Sequence, residues 1–249
     1  MLKWFRADLH VHTCLSPCAD LTMSPKRIIR KARERKLDIV GITDHNSAEN
    51  VAATVRAARG QKMRVLCGME IGSAEEAHII ALFDTPTAAL ELQSRVYEHL
   101  IPGENKNNVF GEQIIVNEFD EVEGYNKRLL IASTTMRLSN IVREIHAFGG
   151  IAAASHIDRE SFSIIGQLGF IPPDLELDAV EISAHIQRDE ALRRFPDVAR
   201  FPIITASDAH FLDDIGTATT NFLLEKPTIN EIRMALKNRD GRKVEINNA

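Results

Sequence analysis

The chain has 249 residues and nine histidines, and most of its candidate metal-binding side chains stand in short groups at the ends of apolar runs. The first group is DLHVHT, with Asp8, His10 and His12 two residues apart. On a strand, alternate residues share a face, so both imidazoles can chelate one cation while Asp8 orients a ring. GITDHN places Asp44 and His45 after an apolar run, with His45 as a ligand and Asp44 as its orienter. In VLCGMEI, Glu70 shares strand parity with Gly68, whose missing side chain would leave room for an ion. A carboxylate has two oxygens and can bridge two cations. His78 opens the next run, HIIALF, and His156 closes GGIAAASH with Arg159 just beyond. SDAH supplies Asp208 and His210, again two apart.

Each group alone has an ordinary reading: a hydrogen-bonded core histidine, an aspartate in a turn, a salt-bridged glutamate, or Arg159 paired with Asp158 or Glu160. Five apolar runs that all end in such a residue point instead to one polynuclear metal site. Mixed nitrogen and oxygen donors suit Zn, Mn or Fe.

The elements that must position these side chains follow from the pattern. Strands are expected over residues 5–10, 38–43, 64–70, 78–83, 150–155, 178–183 and 203–207, with helices over 24–36, 47–59 and 138–148. The helix over 24–36, SPKRIIRKARERK, has a basic face. Strands alternating with helices predict an α/β fold with a parallel sheet closed or nearly closed into a barrel. Residues 84–135 break this rhythm. They read as an inserted helix followed by a hairpin with arms at 113–119 and 128–133, covering the mouth of the barrel and shaping substrate choice. No linker divides the chain, so residues 1–249 are read as a single domain.

A hydrophobic content of 44% is enough for a full core. The net charge of -5 argues against a broad surface for duplex DNA. Bound divalent cations would offset that charge locally and draw in a small anion. Three cysteines suit a reducing compartment better than a disulfide framework, and Cys14 and Cys67 read as structural. The start of the chain is polar by its sixth residue, and no run approaches the roughly 18 apolar residues of a membrane helix. A cytoplasmic protein without a membrane partner is expected.

DLHVHT, TDHN, GMEI with the following His78, GGIAAASH and SDAH, in this order, resemble the PHP (polymerase and histidinol phosphatase) family, in particular its stand-alone phosphoesterases. The resemblance implies a distorted seven-stranded (β/α) barrel holding two or three divalent metals. It places His10, His12, Glu70 and Asp208 on the first metal and Glu70, His78 and His156 on the second. His45 and His210 fall on the third, with one more donor from the loop after the first strand. That loop reads CLSPCAD instead of the family's usual Ser-Asp-Gly turn, and Asp20 is favoured over Cys18 as the missing donor. The implied chemistry is hydrolysis of phosphate esters by metal-activated water, with Glu70, Asp208 and Arg159 as the catalytic set. The implied substrates are small phosphorylated molecules, either nucleotides or short single-stranded oligonucleotides, and not duplex DNA. Two alternatives stand beside it: a metal-binding regulatory module with weak catalysis, and an amidohydrolase-type enzyme acting on a non-phosphorus substrate. The latter would be expected to carry a bridging lysine on the fourth strand, whereas here Glu70 fills the bridging role one strand earlier.

Overall fold

The computed structural model describes residues 1–247. Its strands are β1 (Lys3–Val11), β2 (Ile39–Ile42), β3 (Arg64–Gly72), β4 (His78–Phe83), β5 (Ile114–Val116), β6 (Val122–Tyr125), β7 (Ile151–Ala154), β8 (Ala179–Ile182), β9 (Ile203–Thr205), β10 (Thr219–Leu224) and β11 (Lys243–Asn247). The α-helices are α1 (Pro25–Glu34), α2 (Val51–Ala57), α3 (Pro86–His99), α4 (Asn107–Phe110), α5 (Leu138–Ala147), α6 (Ile164–Leu168), α7 (Arg188–Arg194) and α8 (Ile229–Leu236).

Nine strands form one sheet in the order β11-β10-β1-β2-β3-β4-β7-β8-β9. All seven expected strands are present, and β10 and β11 add an antiparallel pair beside β1. The sheet curls towards closure beyond β9. Ala209 N donates to His10 O, His12 N donates to Ala209 O, and Thr205 N donates to Thr220 Oγ1.

The sheet is mixed, not parallel throughout. β3 and β4 are joined by a turn closed by the Ser73 N to Ala77 O bond, too short for a crossover, so they pair antiparallel. This reversal serves the site. Gly72 pairs with His78, so a histidine that opens its strand lies at the same barrel end as Glu70.

Two apolar clusters hold the fold. Phe5, Leu9, Leu66, Leu82 and Phe222 pack inside the barrel and meet Ile232 and Leu236 of α8. Ile28, Val51, Leu92 and Ile141 join the outward faces of the strands to the helices. Each such side chain contributes about 1.5–3 kcal/mol, which lets the fold tolerate a polar, poorly satisfied cluster at one end.

The insertion departs from its expected form. The hairpin is β5 with β6, so its second arm lies in the stretch read as a turn, and residues 128–133 form no strand. Side chains take the place of a ladder partner there. Gln113 Nε2 donates to Arg128 O, while Asn46 Nδ2 donates to Leu130 O and Ala132 O. The last two bonds fasten the insertion to the residue beside His45, at the mouth of the barrel.

Candidate metal centre

β1 changes face just where its histidines begin. Asp8 pairs with Val40 but Val11 with Ile42, so β1 carries an extra residue relative to β2. Phe5, Ala7 and Leu9 point into the barrel cluster before this bulge, whereas Val11 joins the outer cluster after it. His10 and His12 therefore share the interior, but Asp8 does not. Its carboxylate accepts from Ser207 N, Ser207 Oγ and Gly216 N, and orients no imidazole. Asp44 likewise misses the His45 ring, accepting from Thr13 N, Thr13 Oγ1 and Ser16 Oγ.

The ring orientations come from two residues that the sequence reading passed over. His10 Nδ1 lies 3.1 Å from both oxygens of Glu181, which can only accept, so Nδ1 carries the proton. Ser16 Oγ gives its hydrogen to Asp44 Oδ1 and so accepts from His12 Nδ1 at 3.0 Å. In the neutral rings both Nε2 atoms are bare lone pairs, although burial, which acts to lower the His10 pKa, is outweighed by the charges of Glu181, Asp208 and Glu70, which push it well above its usual value. The two Nε2 atoms stand 3.1 Å apart, and Asp208 Oδ1 is 3.2 Å from one and 3.1 Å from the other. Three electron-rich atoms facing one another in a buried space repel unless a proton or a metal cation lies among them. Glu181 had a sequence signal, since a carboxylate in the middle of the apolar run AVEI needs a buried partner.

Glu70 anchors the other half of the site. His45 Nδ1 lies 3.1 Å from its Oε2, and His78 Nδ1 and His156 Nε2 each lie 3.1 Å from its Oε1. His10 and His12 are at 3.5 and 3.7 Å. Burial alone would raise the Glu70 pKa, but the charges of His78 and His10 hold it well below the usual range. Burial likewise acts to lower the His45 pKa, but Cys18 and Glu70 overcome this and push it up to about 10. A corner this electronegative favours any cation. His156 Nδ1 is buried without a hydrogen-bond partner, and His78 Nδ1, though close to Glu70 Oε1, is not aligned to form a hydrogen bond with it. Gly68 does not provide space for an ion: a Cβ there would lie 2.0 Å from Ala81 O, so the glycine admits the neighbouring strand.

Ligand atoms lie within 4.8 Å of one another in three sets: His10, His12 and Asp208; His45, Glu70 and His78; and His12, His45 and His210. His45 thus stands between the second and third sets, where the resemblance placed it with the third alone. Backbone strain marks the ligand-bearing strand ends. His156 has φ 26° and Asp208 φ 49°, values that a non-glycine residue adopts at a cost.

The expected donor Asp20 is not in the cluster. Its carboxylate accepts from Thr22 N and Thr22 Oγ1 in a local turn. Cys18 lies nearer the cluster, with Sγ 3.1 Å from His210 Nε2. Desolvation acts to raise the Cys18 pKa, but hydrogen bonds from His210 and His45 bring it down to about 7. Thiolate is the metal-ligating form. Cys18→Ala should therefore lower the metal content of the purified protein or weaken one site about 10-fold or more, while Asp20→Ala leaves it unchanged. Elemental analysis of both variants checks this, and the reverse pattern would restore Asp20 as the donor. Cys14 and Cys67 are buried, and desolvation pushes both thiols up to about 12, so neither is poised to react. Arg159 pairs with neither Asp158 nor Glu160; Nη1 lies 2.7 Å from Asp208 Oδ2.

The cluster opens into a cavity of about 430 Å³ lined in part by Cys18, Ile131, Arg159 and Phe162. A curled α/β sheet with a His, Asp and Glu cluster at one end is a barrel architecture with a candidate metal centre at its mouth. The chain matches the PHP domain over residues 8–170 and the PHP-associated segment over 190–240, and it belongs to the PHP family. The uncharacterised Bacillus subtilis protein YqxK is 24% identical, over 99% of this chain and 65% of its own length. Endonuclease Q of Pyrococcus furiosus, a lesion-specific endonuclease, has a TM-score of 0.74 at 16% identity, over 97% of this chain and 58% of that one. A second endonuclease Q structure, with an abasic 27-mer duplex at its active site, gives a TM-score of 0.73 at 17% identity, over 97% and 58% of the two chains. The chain thus spans less than two thirds of the length of these relatives. Among the described residues, no helix is long and apolar enough to cross a membrane.

Proposed function

We propose that this chain is a metal-dependent phosphoesterase acting on nucleotides or nucleic-acid strands. The observation that carries the reading is the facing of lone pairs among His10, His12 and Asp208, next to an Arg159 that is 42% exposed to the cavity. His10, His12 and Asp208 would hold one divalent ion and Glu70, His78, His45 and His156 a second. His210 and Cys18 would complete a third with His12 or His45. Zn, Mn and Fe all suit the donors. Such ions supply Lewis acidity, lowering the pKa of water and neutralising charge on a phosphoryl group.

The chain's own residues do the rest. Arg159 touches Asp208 through one nitrogen, which leaves other donors of its fork for non-bridging phosphate oxygens. Glu70 places negative charge between the imidazoles and offsets repulsion between neighbouring cations. Phe162 supports a planar leaving group. Its ring stacks on His78 at 5.0 Å and 15°, half exposed, with the backbone held at φ 59°. A bulky residue in that conformation is costly, so its surroundings fix the ring at the rim of the cavity.

Two features count against the alternatives. The bridging role falls to a carboxylate, Glu70, one strand before the one where an amidohydrolase would be expected to carry lysine, and among the described residues no lysine lines the cavity. A regulatory module that had lost catalysis would be expected to have shed ligands, while here all the expected histidines converge. Net charge does not decide between single and double strands. Endonuclease Q, whose fold is similar, takes a duplex, so duplex DNA stays among the substrates to test.

The test is turnover of p-nitrophenyl phosphate and its thymidine diester by metal-loaded protein, followed by chelation and re-addition of Mn or Zn. Chelation should abolish turnover and metal should restore it. Protein that holds its metals yet turns over neither ester would favour the regulatory reading.

A further inference from the structure

The basic helix that the sequence singles out has no part in the metal centre, yet it lines a second concavity. A cavity of about 460 Å³ lies on the outer face, with Lys26, Arg27, Arg30 and Arg33 of α1 on one wall and Ala57 and Gln61 opposite. Lys26, Arg30 and Arg33 recur at helical spacing, so they crowd one face and repel one another. Little nearby relieves that repulsion. Among the described residues, Arg30 reaches Glu34 only at 3.9 Å, and Lys26, Arg27 and Arg33 form no ion pair. The facing helix brings no carboxylate, since α2 reads VAATVRA. Asp120, whose Oδ1 accepts from Lys26 N, is the one carboxylate lining the groove among the described residues, and it offsets one of the four cationic side chains there. A merely solvated basic face would be expected to interleave acidic residues or to be convex. This one is concave, and the chain around it is net negative.

The groove is linked to the metal centre by chain segments common to both. The loop from β1 to α1 carries Cys18 in the catalytic cavity, and α1 then supplies Lys26 to the groove. The insertion supplies Ile131 to the first and Asp120 to the second. We infer that this α1–α2 groove binds the phosphate backbone of a nucleic-acid strand, gripping it outside the metal centre. Guanidinium forks match phosphate oxygens, and a strand presents them in the row that a helical row of arginines requires. The choice of a nucleic-acid strand as occupant rests on the phosphoesterase reading, whereas the affinity of the groove for phosphate rests on its own geometry.

The test compares wild type with the triple variant Arg27→Gln, Arg30→Gln, Arg33→Gln and with its Arg→Lys counterpart. All three side chains are exposed, and glutamine and lysine both sustain helices. Binding of a fluorescein-labelled phosphorothioate single strand, which resists cleavage, is followed by anisotropy across a salt series. The Gln variant should bind about 10-fold or more weakly at low salt, with the slope of log K against log salt shallower by about 2, and the Lys variant should keep the slope. Turnover of p-nitrophenyl phosphate should be unchanged in both. Unchanged affinity and slope in the Gln variant would overturn the assignment, as would a parallel fall in p-nitrophenyl phosphate turnover, which would show α1 acting through the metal centre. If wild type turns over no phosphate ester at all, the phosphoesterase reading fails, and the anisotropy series still decides whether the groove holds a strand.

Discussion

Glu70→Gln should cost the protein at least one bound metal and lower kcat on a phosphate ester by about three orders of magnitude or more, while the barrel remains folded. One carboxylate stands within 3.1–3.7 Å of nitrogens from His10, His12, His45, His78 and His156. Its two oxygens reach rings of both halves of the cluster, whereas the Asp208 carboxylate reaches His10, His12 and His210. Glutamine keeps the size but loses the charge and turns one oxygen donor into an NH2 group. In the metal-free protein that change already costs stability, since the carboxylate pairs with a His45 whose pKa is pushed up to about 10. In the loaded protein the same NH2 faces a cation. The variant should therefore fall below wild type in thermal midpoint after chelation, and by a wider margin with metal present. Elemental analysis, circular dichroism melts with and without metal, and phosphatase kinetics on one preparation read all parts. Near-native turnover with full metal content would remove Glu70 from the mechanism.

Much of this site can be read from sequence because metal ligands are few in type and strand ends are easy to find. His10, His12, His45, Glu70, His78, His156, Asp208 and His210 fall together in the structure as the motifs imply. The misses share a cause. A period-of-two argument assumes an unbroken strand, and the bulge between Asp8 and Val11 adds a residue that no pattern reveals, so Asp8 was assigned to the wrong face. The loop after β1 folds by its own turns, and Thr22 captures Asp20 before it can reach the cluster. The hairpin in the insertion moved because Asn46 and Gln113 satisfy the backbone of residues 128–132, a long-range effect absent from local propensity. Seven strands were found because apolar runs announce them. β10 and β11 pair antiparallel beyond the last ligand, where no catalytic motif drew attention to them.

Glu181 tests whether the ring orientations are as important as the ligands. It is fully buried, it takes the Nδ1 proton of His10 on both oxygens at 3.1 Å, and it also accepts from His156 N at 3.2 Å. One carboxylate thus fixes the tautomer of a ring in one half of the cluster and the strained backbone of a ligand in the other. Glu181→Gln can still accept through one oxygen, but its NH2 competes for the same place and opposes the protonated Nδ1. The ring then loses basicity and a fixed plane. Metal affinity should fall about 10- to 100-fold, while kcat at saturating metal stays within a few-fold because no reacting atom is touched. Glu181→Leu should be worse in a different way. It leaves Nδ1 of a buried ring without an acceptor and should cost about 1–3 kcal/mol of stability whether or not metal is present. Activity against free metal set by a competing chelator separates the two effects: the Gln variant shifts the midpoint of the curve, and the Leu variant also lowers the thermal midpoint of chelated protein. A Gln variant whose metal midpoint does not move would show that Glu70 and Asp208 alone orient the His10 ring.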